Sequence, residues 1–312
     1  MSIPVNVDNF TVAETHRMMH DLQNDSGGVN TFRHNRAPAP IDKQTVIRMN
    51  RDTLYSFAVV DVSGGATLTL PDHGGRYLSV MAVNEHHFIN VVLHEAGEHQ
   101  LSAEQLGSPH VMLAVRMLVD PADPDDIAAV AALQDQIVLT AASATPFEMP
   151  DYDTTTLNET RDALLSLARN LSSFDRTFGT RDEVDPVHHL IGTAAGWGGL
   201  PSSEAVYVGA NPRLPVGQYE LTVGDVPVDG FWSISVYNAA GFFEPNDRDA
   251  YTINNITGIR TTDGTITVRF GDYPPGTPNA LPITEGWNYV VRLYRPRPEI
   301  IDGSWTFPTL QV

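Results

Sequence analysis

The chain has 312 residues, more than one hydrophobic core usually holds, so two or three domains are expected. Its formal net charge is −19, with a single lysine against 18 arginines. Such a surface repels phosphate backbones and anionic membranes, which argues against nucleic acid and membrane partners. There is no cysteine, which removes disulfides, thiolate metal sites, iron–sulfur clusters and a cysteine nucleophile, and no apolar run approaches the ~20 residues that span a bilayer.

In chain order, the first eight residues carry neither a basic stretch nor an apolar stretch, so no secretory signal is visible and a cytoplasmic location is expected. Thr11-Val12-Ala13-Glu14 has the form of a capping box and predicts a helix to about Leu22, stopped by Asp25-Ser26-Gly27-Gly28. From Thr45 to Leu118 short strand-like runs alternate with Gly, Pro and Asp turns: Ser56–Val62, Ala66–Leu70, Tyr77–Val83, Phe88–Leu93 and Val111–Leu118. Asp123-Pro124 then reads as a helix start, with helix expected to about Ala141. A second helix is expected from Thr156 to Phe178, with Leu157, Leu164, Leu165, Ala168, Leu171 and Phe174 on one stripe and Gly179 as its stop. Gly192–Gly199 is Gly-rich without a Rossmann or P-loop spacing, so turns are expected there, with Trp197 as an anchor between domains. Strands resume at Ala205 and include Tyr219–Val223, Gly230–Tyr237, Ile266–Phe270 and Tyr289–Tyr294.

The fold expected from this pattern is mainly β (multidomain α+β), with two jelly-roll-like β-sandwich lobes joined by a helical segment. The expected boundaries are 1–120 for the first lobe with its helix, 121–182 for the helical segment and 183–312 for the second lobe.

The densest polar cluster is Asn50-Arg51-Asp52-Thr53-Leu54-Tyr55-Ser56. On a strand, parity puts Asn50 and Asp52 on one face and Arg51 and Tyr55 on the other. These groups can orient a ligand, or they can pin the start of a sandwich through satisfied hydrogen bonds. His86 and His87 point to opposite faces if extended, and His86 and His94 are roughly 26 Å apart along an extended strand, too far to share a metal. His94-Glu95-Ala96-Gly97-Glu98-His99 has a spacing of five, which fails the zincin pattern of four. A divalent ion held by His87 with residues from elsewhere, or a His87 satisfied by protein partners, both remain open readings. No Gly-x-Ser-x-Gly elbow occurs. On Phe231–Asn238, Ser233, Ser235 and Tyr237 share the face opposite Trp232, Ile234 and Val236. On Tyr289–Tyr294, Arg292 and Tyr294 lie opposite the apolar Tyr289, Val291 and Leu293, and Arg292 suits a carboxylate ligand or a buried ion pair. Asn254 and Asn255 can clamp polar groups or cap a turn.

These same residues carry a resemblance. Asp42 to Ser56 resembles the signature of the bacterial domain of unknown function 1254. Trp232-Ser233-Ile234-Ser235-Val236-Tyr237-Asn238, Tyr251-Thr252-Ile253-Asn254-Asn255, Asn279-Ala280-Leu281-Pro282 and Arg292-Leu293-Tyr294-Arg295-Pro296 resemble its usual partner, the domain of unknown function 1214. The resemblance implies two jelly-roll-like lobes with a helical segment between them and supplies no reaction. The chain departs from the family where many relatives read Asp-His-Tyr and it has His86-His87-Phe88, and at Ala280, where many carry a large or polar residue.

The functional expectation is an uncharacterised enzyme acting on a small polar, anionic molecule between the lobes, a hydrolase, lyase or isomerase without organic cofactor. Asp52, His87 and Tyr55 are the expected catalytic residues, and Asn50, Arg51, Tyr237, Asn254, Asn255, Arg292 and Tyr294 the expected substrate-binding ones. No metal ligand is assigned, and a homo-oligomer is allowed for. The alternative is a non-catalytic jelly-roll module that binds a carbohydrate or another polar ligand.

Overall fold

The computed structural model describes residues 2–44, 47–169, 171 and 173–310. In chain order the elements are α1 (Phe10–Ser26), β1 (Arg33–His34), β2 (Thr53–Asp61), β3 (Ala66–Leu70), β4 (Leu78–Asn84), β5 (Ile89–Leu93), β6 (Gly97–Leu101), α2 (Ala103–Leu106), β7 (His110–Leu118), α3 (Pro124–Gln134), β8 (Val138–Ala141), α4 (Thr154–Ala168), α5 (Pro186–Gly196), β9 (Ala205–Ala210), β10 (Tyr219–Val223), β11 (Trp232–Tyr237), β12 (Thr252–Asn254), β13 (Ile266–Phe270), β14 (Ala280–Leu281), β15 (Asn288–Tyr294) and α6 (Pro298–Ile301). The fold is mainly β, with sandwich-like sheets and added helices. Among the described residues, no helix is long and apolar enough to cross a membrane.

The chain divides into two compact units. Unit 1 holds Met1–Arg36, Tyr55–Met117 and Ala129–Ser202, and unit 2 holds Ala37–Leu54, Leu118–Ala128 and Ser203–Val312. Both units are discontinuous in sequence, because the segments 37–54 and 118–128 group with the C-terminal strands.

Unit 1 carries a five-stranded sheet in the order β1-β2-β7-β4-β5 and a three-stranded sheet in the order β6-β3-β8. The interior strand β4 is buried along its whole length, which is why its sequence reads as a largely apolar run without alternation. Helices α1, α4 and α5 enclose a separate small core of Phe10, Ala13, Leu157, Leu164 and Ile191. The expected helical region is therefore three different things. Helix α3 stops at Gln134, because the β-branched run that follows pairs as β8 with β3. Helix α4 starts where Asp153 accepts a hydrogen bond from the Thr156 amide at 2.8 Å, and it ends at Ala168, not at Phe178. Asn170 and Ser172, inside the expected helix, lie outside the described residues; Phe174 is exposed. Part of the Gly-rich stretch belongs to α5, which Asp185 caps through the Val187 and His188 amides. Gly192 is required there: a Cβ would sit 1.9 Å from Thr177 Cγ2.

The start of α1 also departs from the capping-box reading. Asn9 occupies the cap position but turns its side chain back to the Asn6 amide and the Pro4 carbonyl. Glu14 instead binds Arg17 and Arg161, tying α1 to α4.

Unit 2 is a sandwich of a four-stranded sheet, β12-β11-β15-β9, and a three-stranded sheet, β10-β13-β14. Trp232, Ile234 and Val236 of β11 and Tyr289, Val291 and Leu293 of β15 face Leu221, Val268 and Phe270 of the other sheet. Burying each such side chain contributes about 1.5–3 kcal/mol, so strand parity fixes which face turns inward. The opposite face of the four-stranded sheet carries a second hydrophobic cluster, Tyr237, Phe243, Tyr251 and Val290, with Ile41 and Met49 packed on it. Thr45 and Val46, where the strand pattern was expected to begin, lie outside the described residues, and β2 begins at Thr53.

Candidate functional site

The outer face of unit 2's four-stranded sheet carries polar side chains beside this hydrophobic cluster, and the sequence motifs meet there. In register, Ser233 of β11 lies between Arg292 of β15 and Asn254 of β12, and Ser235 lies between Val290 and Thr252. Segment 48–52 covers this face. Because β2 begins only at Thr53, Asn50, Arg51 and Asp52 lie ahead of the strand, and the alternation expected for them does not apply. Instead Asn50 Oδ1 accepts the Asp52 amide at 2.8 Å, while its Nδ2 donates to the Tyr294 hydroxyl at 2.8 Å.

Arg292 is the hub. One terminal nitrogen donates to Ser235 Oγ at 2.9 Å; the other donates to the carbonyls of Arg48 at 2.9 Å and Met49 at 3.3 Å and to the Tyr237 hydroxyl at 2.7 Å. Tyr237 passes its own proton to the Met49 carbonyl at 2.8 Å. Burial works against the guanidinium charge, but Tyr237, Tyr294 and Asp52 more than offset it and raise its pKa. Burial in turn raises the Tyr237 phenol, so it stays a neutral donor. These donors point at protein acceptors, which makes Arg292 a clamp between β15 and segment 48–49.

Asp52 is fully buried. Its Oδ1 accepts from Thr252 Oγ1 at 2.9 Å, and Thr252 is itself reached by Ser235 Oγ at 3.2 Å. Its Oδ2 has no hydrogen-bond partner, and neither do Ser233 Oγ, Asn254 Nδ2, Asn288 Oδ1 or Arg51 Nε. Arg51 donates to the Ala39 carbonyl and lies over the Tyr251 ring, 5.2 Å from its centroid. Burial lowers its pKa, against the opposing influence of Asp249, Tyr251 and Asp52. Asn254 Oδ1 accepts the Ile256 and Thr257 amides, and Asn255 Oδ1 accepts the Trp232 amide at 2.9 Å. Asn254 thus caps a turn with its oxygen while Asn255 holds the start of β11, and Asn254 Nδ2 is a buried donor without a partner.

The other two expected catalytic residues belong to unit 1 and have partners within it. Tyr55 stacks on Phe57, and the Arg116 guanidinium sits 5.4 Å from its ring centroid. His87 is fully buried, in a left-handed turn at φ 62°. Its Nε2 accepts the Gly198 amide at 2.9 Å, so the proton lies on Nδ1, which donates to Thr193 Oγ1 at 2.8 Å; Thr193 then donates to the His189 carbonyl. Burial and the neighbouring His189 hold its pKa well below the ordinary histidine value. With both nitrogens engaged, His87 offers no lone pair to a metal and no free position for proton transfer. Trp197, expected to anchor two domains, stacks on His87 at 5.3 Å and donates to Thr15 Oγ1, both within unit 1. Among the described residues, no three His, Asp or Glu side chains group as a metal site.

The larger concavities of unit 2 lie elsewhere. One of about 650 Å³ is lined by Gln218, Arg248, Asp272 and Tyr273, and one of about 390 Å³ by Val226, Arg297 and Trp305. A small one of about 10 Å³ touches Tyr237 and Tyr251 at the margin of the polar face. The two larger hollows contain none of the sequence-predicted residues.

The sequence reading missed Thr252 as the partner of Asp52 and the carbonyls of Arg48 and Met49 as the acceptors of Arg292. Backbone acceptors leave no mark in residue types, so only the surplus of donors on Arg292 could have hinted at them.

Residues 29–100 match the model of a protein of unknown function (DUF1254), and residues 211–298 match a protein of unknown function (DUF1214). Among curated proteins, none matches the chain. The crystal structure of the VPA0106 protein from Vibrio parahaemolyticus is similar, with a TM-score of 0.77 and 17% identity over 98% of this chain and 97% of that one. An uncharacterised protein from Burkholderia cenocepacia is similar with a TM-score of 0.53 and 14% identity over 96% of this chain and 86% of that one. At these identities the likeness speaks for the fold alone. With both signature regions present in order, the chain belongs to the family of proteins that pair DUF1254 with DUF1214.

Proposed function

We propose that the protein is an enzyme acting on a small polar molecule held against the polar sheet face of unit 2. The observation that supports this is the set of buried, unpartnered polar atoms there: Asp52 Oδ2, Ser233 Oγ, Asn254 Nδ2 and Arg51 Nε. An unmade hydrogen bond at a buried atom costs about 1–3 kcal/mol, so several on one face call for a ligand that makes them. In this reading Asp52 takes or returns a proton, Asn254 and Ser233 orient the ligand, and Arg51 balances an anionic group. Arg292 and Tyr237 act indirectly, by holding the segment that carries Asp52. The chemistry is a hydrolysis, elimination or isomerisation that needs no organic cofactor.

The test is a screen of small hydroxy acids, sugars and polyols by thermal shift, followed by NMR detection of turnover. Asp52→Asn keeps the shape and the Thr252 bond; loss of a positioned acid or base costs about 10²–10⁴-fold in rate. A variant that melts like the parent yet no longer turns over the substrate supports the reading. A variant that unfolds, or that turns over normally, sinks it.

A second reading, a non-catalytic module for a sugar or similar ligand, is favoured by one observation: Arg292, Tyr237 and Asn255 spend their polar atoms on the protein itself. Under that reading Asp52→Asn weakens binding and no turnover is found in the parent. A cytoplasmic location accompanies this reading, and a homo-oligomer is allowed for; light scattering on the purified chain decides the oligomeric state.

A further inference from the structure

Unit 1 holds a second polar centre that none of the sequence motifs marks. Tyr152, ahead of α4, places its hydroxyl 3.0 Å from His16 Nδ1 on α1. His16 Nε2 lies 3.4 Å from Glu85 Oε2, a charge contact without hydrogen-bond geometry, and is buried with no hydrogen-bond partner. Glu85 sits just after β4. Its Oε1 accepts the His110 amide at 3.2 Å and lies 3.9 Å from His110 Nδ1. Phe147 meets both imidazoles edge-on, with centroids at 5.1 Å and 5.5 Å, and walls the centre on one side.

The partners dictate where the protons are. His110 Nε2 faces the Thr145 carbonyl at 2.8 Å, and a carbonyl only accepts, so that nitrogen carries hydrogen. A carboxylate likewise only accepts, so a neutral His16 carries its proton on Nε2, toward Glu85. That leaves His16 Nδ1 to accept from the Tyr152 hydroxyl. Hydroxyl, imidazole and carboxylate thus follow in the order of the hydrolase triad, with a phenol in place of serine. Burial opposes the charge on Glu85, but His16 and the His110 amide lower its pKa and keep it ionised. Burial and then Glu85 raise the Tyr152 phenol, so it rests protonated and needs a base to be activated. The side chains of His16, His110 and Glu85 are 11%, 14% and 22% exposed, so the centre reaches solvent at its rim.

We propose that Tyr152, His16 and Glu85 form a second reactive site in which Tyr152 attacks neutral acyl compounds such as small esters. The Tyr152 oxygen bonds to the acyl carbon while its proton passes to His16 Nδ1, and the ester C–O bond breaks to release the alkoxide. The new imidazolium is stabilised by Glu85 and returns its proton to the leaving group. His110 is a positioning residue, because its amide fixes the Glu85 carboxylate. A purely structural network would hold the same hydrogen bonds without making Tyr152 reactive, and the two differ in a direct measurement.

The experiment treats the whole chain with para-nitrophenyl acetate and maps acetyl groups by peptide mass spectrometry. The half-exposed Tyr207, outside this centre, serves as the internal standard. Tyr152 is expected to acetylate about a hundredfold faster than Tyr207, the scale of one positioned base. His16→Gln should abolish the excess, and Glu85→Gln should reduce it about tenfold. Unfolding curves run on each variant separate lost reactivity from lost structure; if His16→Gln unfolds, Glu85→Gln carries the test. Acetylation of Tyr152 at the rate of Tyr207, or an excess that survives in a folded Glu85→Gln protein, overturns the proposal. Since these residues belong to unit 1, the result stands apart from that of Asp52→Asn.

Discussion

His87 of unit 1 and Asp52 of unit 2 are both fully buried and both polar, and they differ in one respect. Each His87 nitrogen has a partner, and the relay runs on through Thr193 to a backbone carbonyl. Asp52 has one partnered oxygen and one without a partner. A satisfied buried polar group is part of the scaffold, whereas unmet hydrogen-bonding capacity is what a ligand can use. Burial and residue type alone do not separate the two; their hydrogen-bond partners do.

The largest expected effect tests whether Arg292 belongs with the scaffold. Arg292→Met removes the donors that serve the Arg48 and Met49 carbonyls and Tyr237 and leaves Asp52 without its neighbouring cation. Breaking such a buried charged set costs about 3–5 kcal/mol, read as a lowered urea midpoint. If the variant instead unfolds like the parent and fails only in ligand binding, Arg292 belongs with Asp52 and the division drawn above is misplaced.

His87 is next. Its folded pKa lies well below the ordinary value near which the unfolded chain titrates, about 6.5. The unfolded state therefore binds more protons than the folded state between those two values. The contribution of a neutral His87 is complete above about pH 6.5 and is lost as pH falls below it. His87→Gln should cost about 1–3 kcal/mol at pH 8, by loss of the relay, and should flatten the fall in melting temperature toward pH 5. An unchanged slope would mean that His87 accepts a proton in place, contrary to its partner list.

Much of the fold was legible because strand parity leaves a trace. The alternation along β11 and β15 placed Trp232, Ile234 and Val236 on one face and Ser233, Ser235 and Tyr237 on the other, and the sandwich core follows it. The helical middle was less legible. The apolar run of β8 has the same composition as a buried helix end, and α5 was hidden by Gly192, whose absent side chain admits Thr177. In the site, Asp52 and Arg292 stood out by type in their motifs, but their roles depend on partners about 200 residues away, such as Thr252 for Asp52. His16, Glu85 and Tyr152 come from three distant segments with no motif between them, and only the fold brings them together.

The smallest expected effect is the sharpest test of the comparison. Ser233 is fully buried between Arg292 and Asn254 in register, and its hydroxyl has no partner. Removing a partnered buried hydroxyl costs stability, whereas removing an unpartnered one relieves a desolvation penalty of about 1–3 kcal/mol. Against this stands the small loss of packing around one missing oxygen. Ser233→Ala should therefore leave the unfolding free energy unchanged or raise it by up to about 1 kcal/mol. The same variant should weaken the ligand that the screen identifies by about fivefold to tenfold, the worth of one hydrogen bond. A stabilised protein with weakened binding is the signature of a group kept for a ligand at the expense of the fold. A destabilised one would show that Ser233 is scaffold after all, and the polar face would lose one of the atoms on which the proposed site rests.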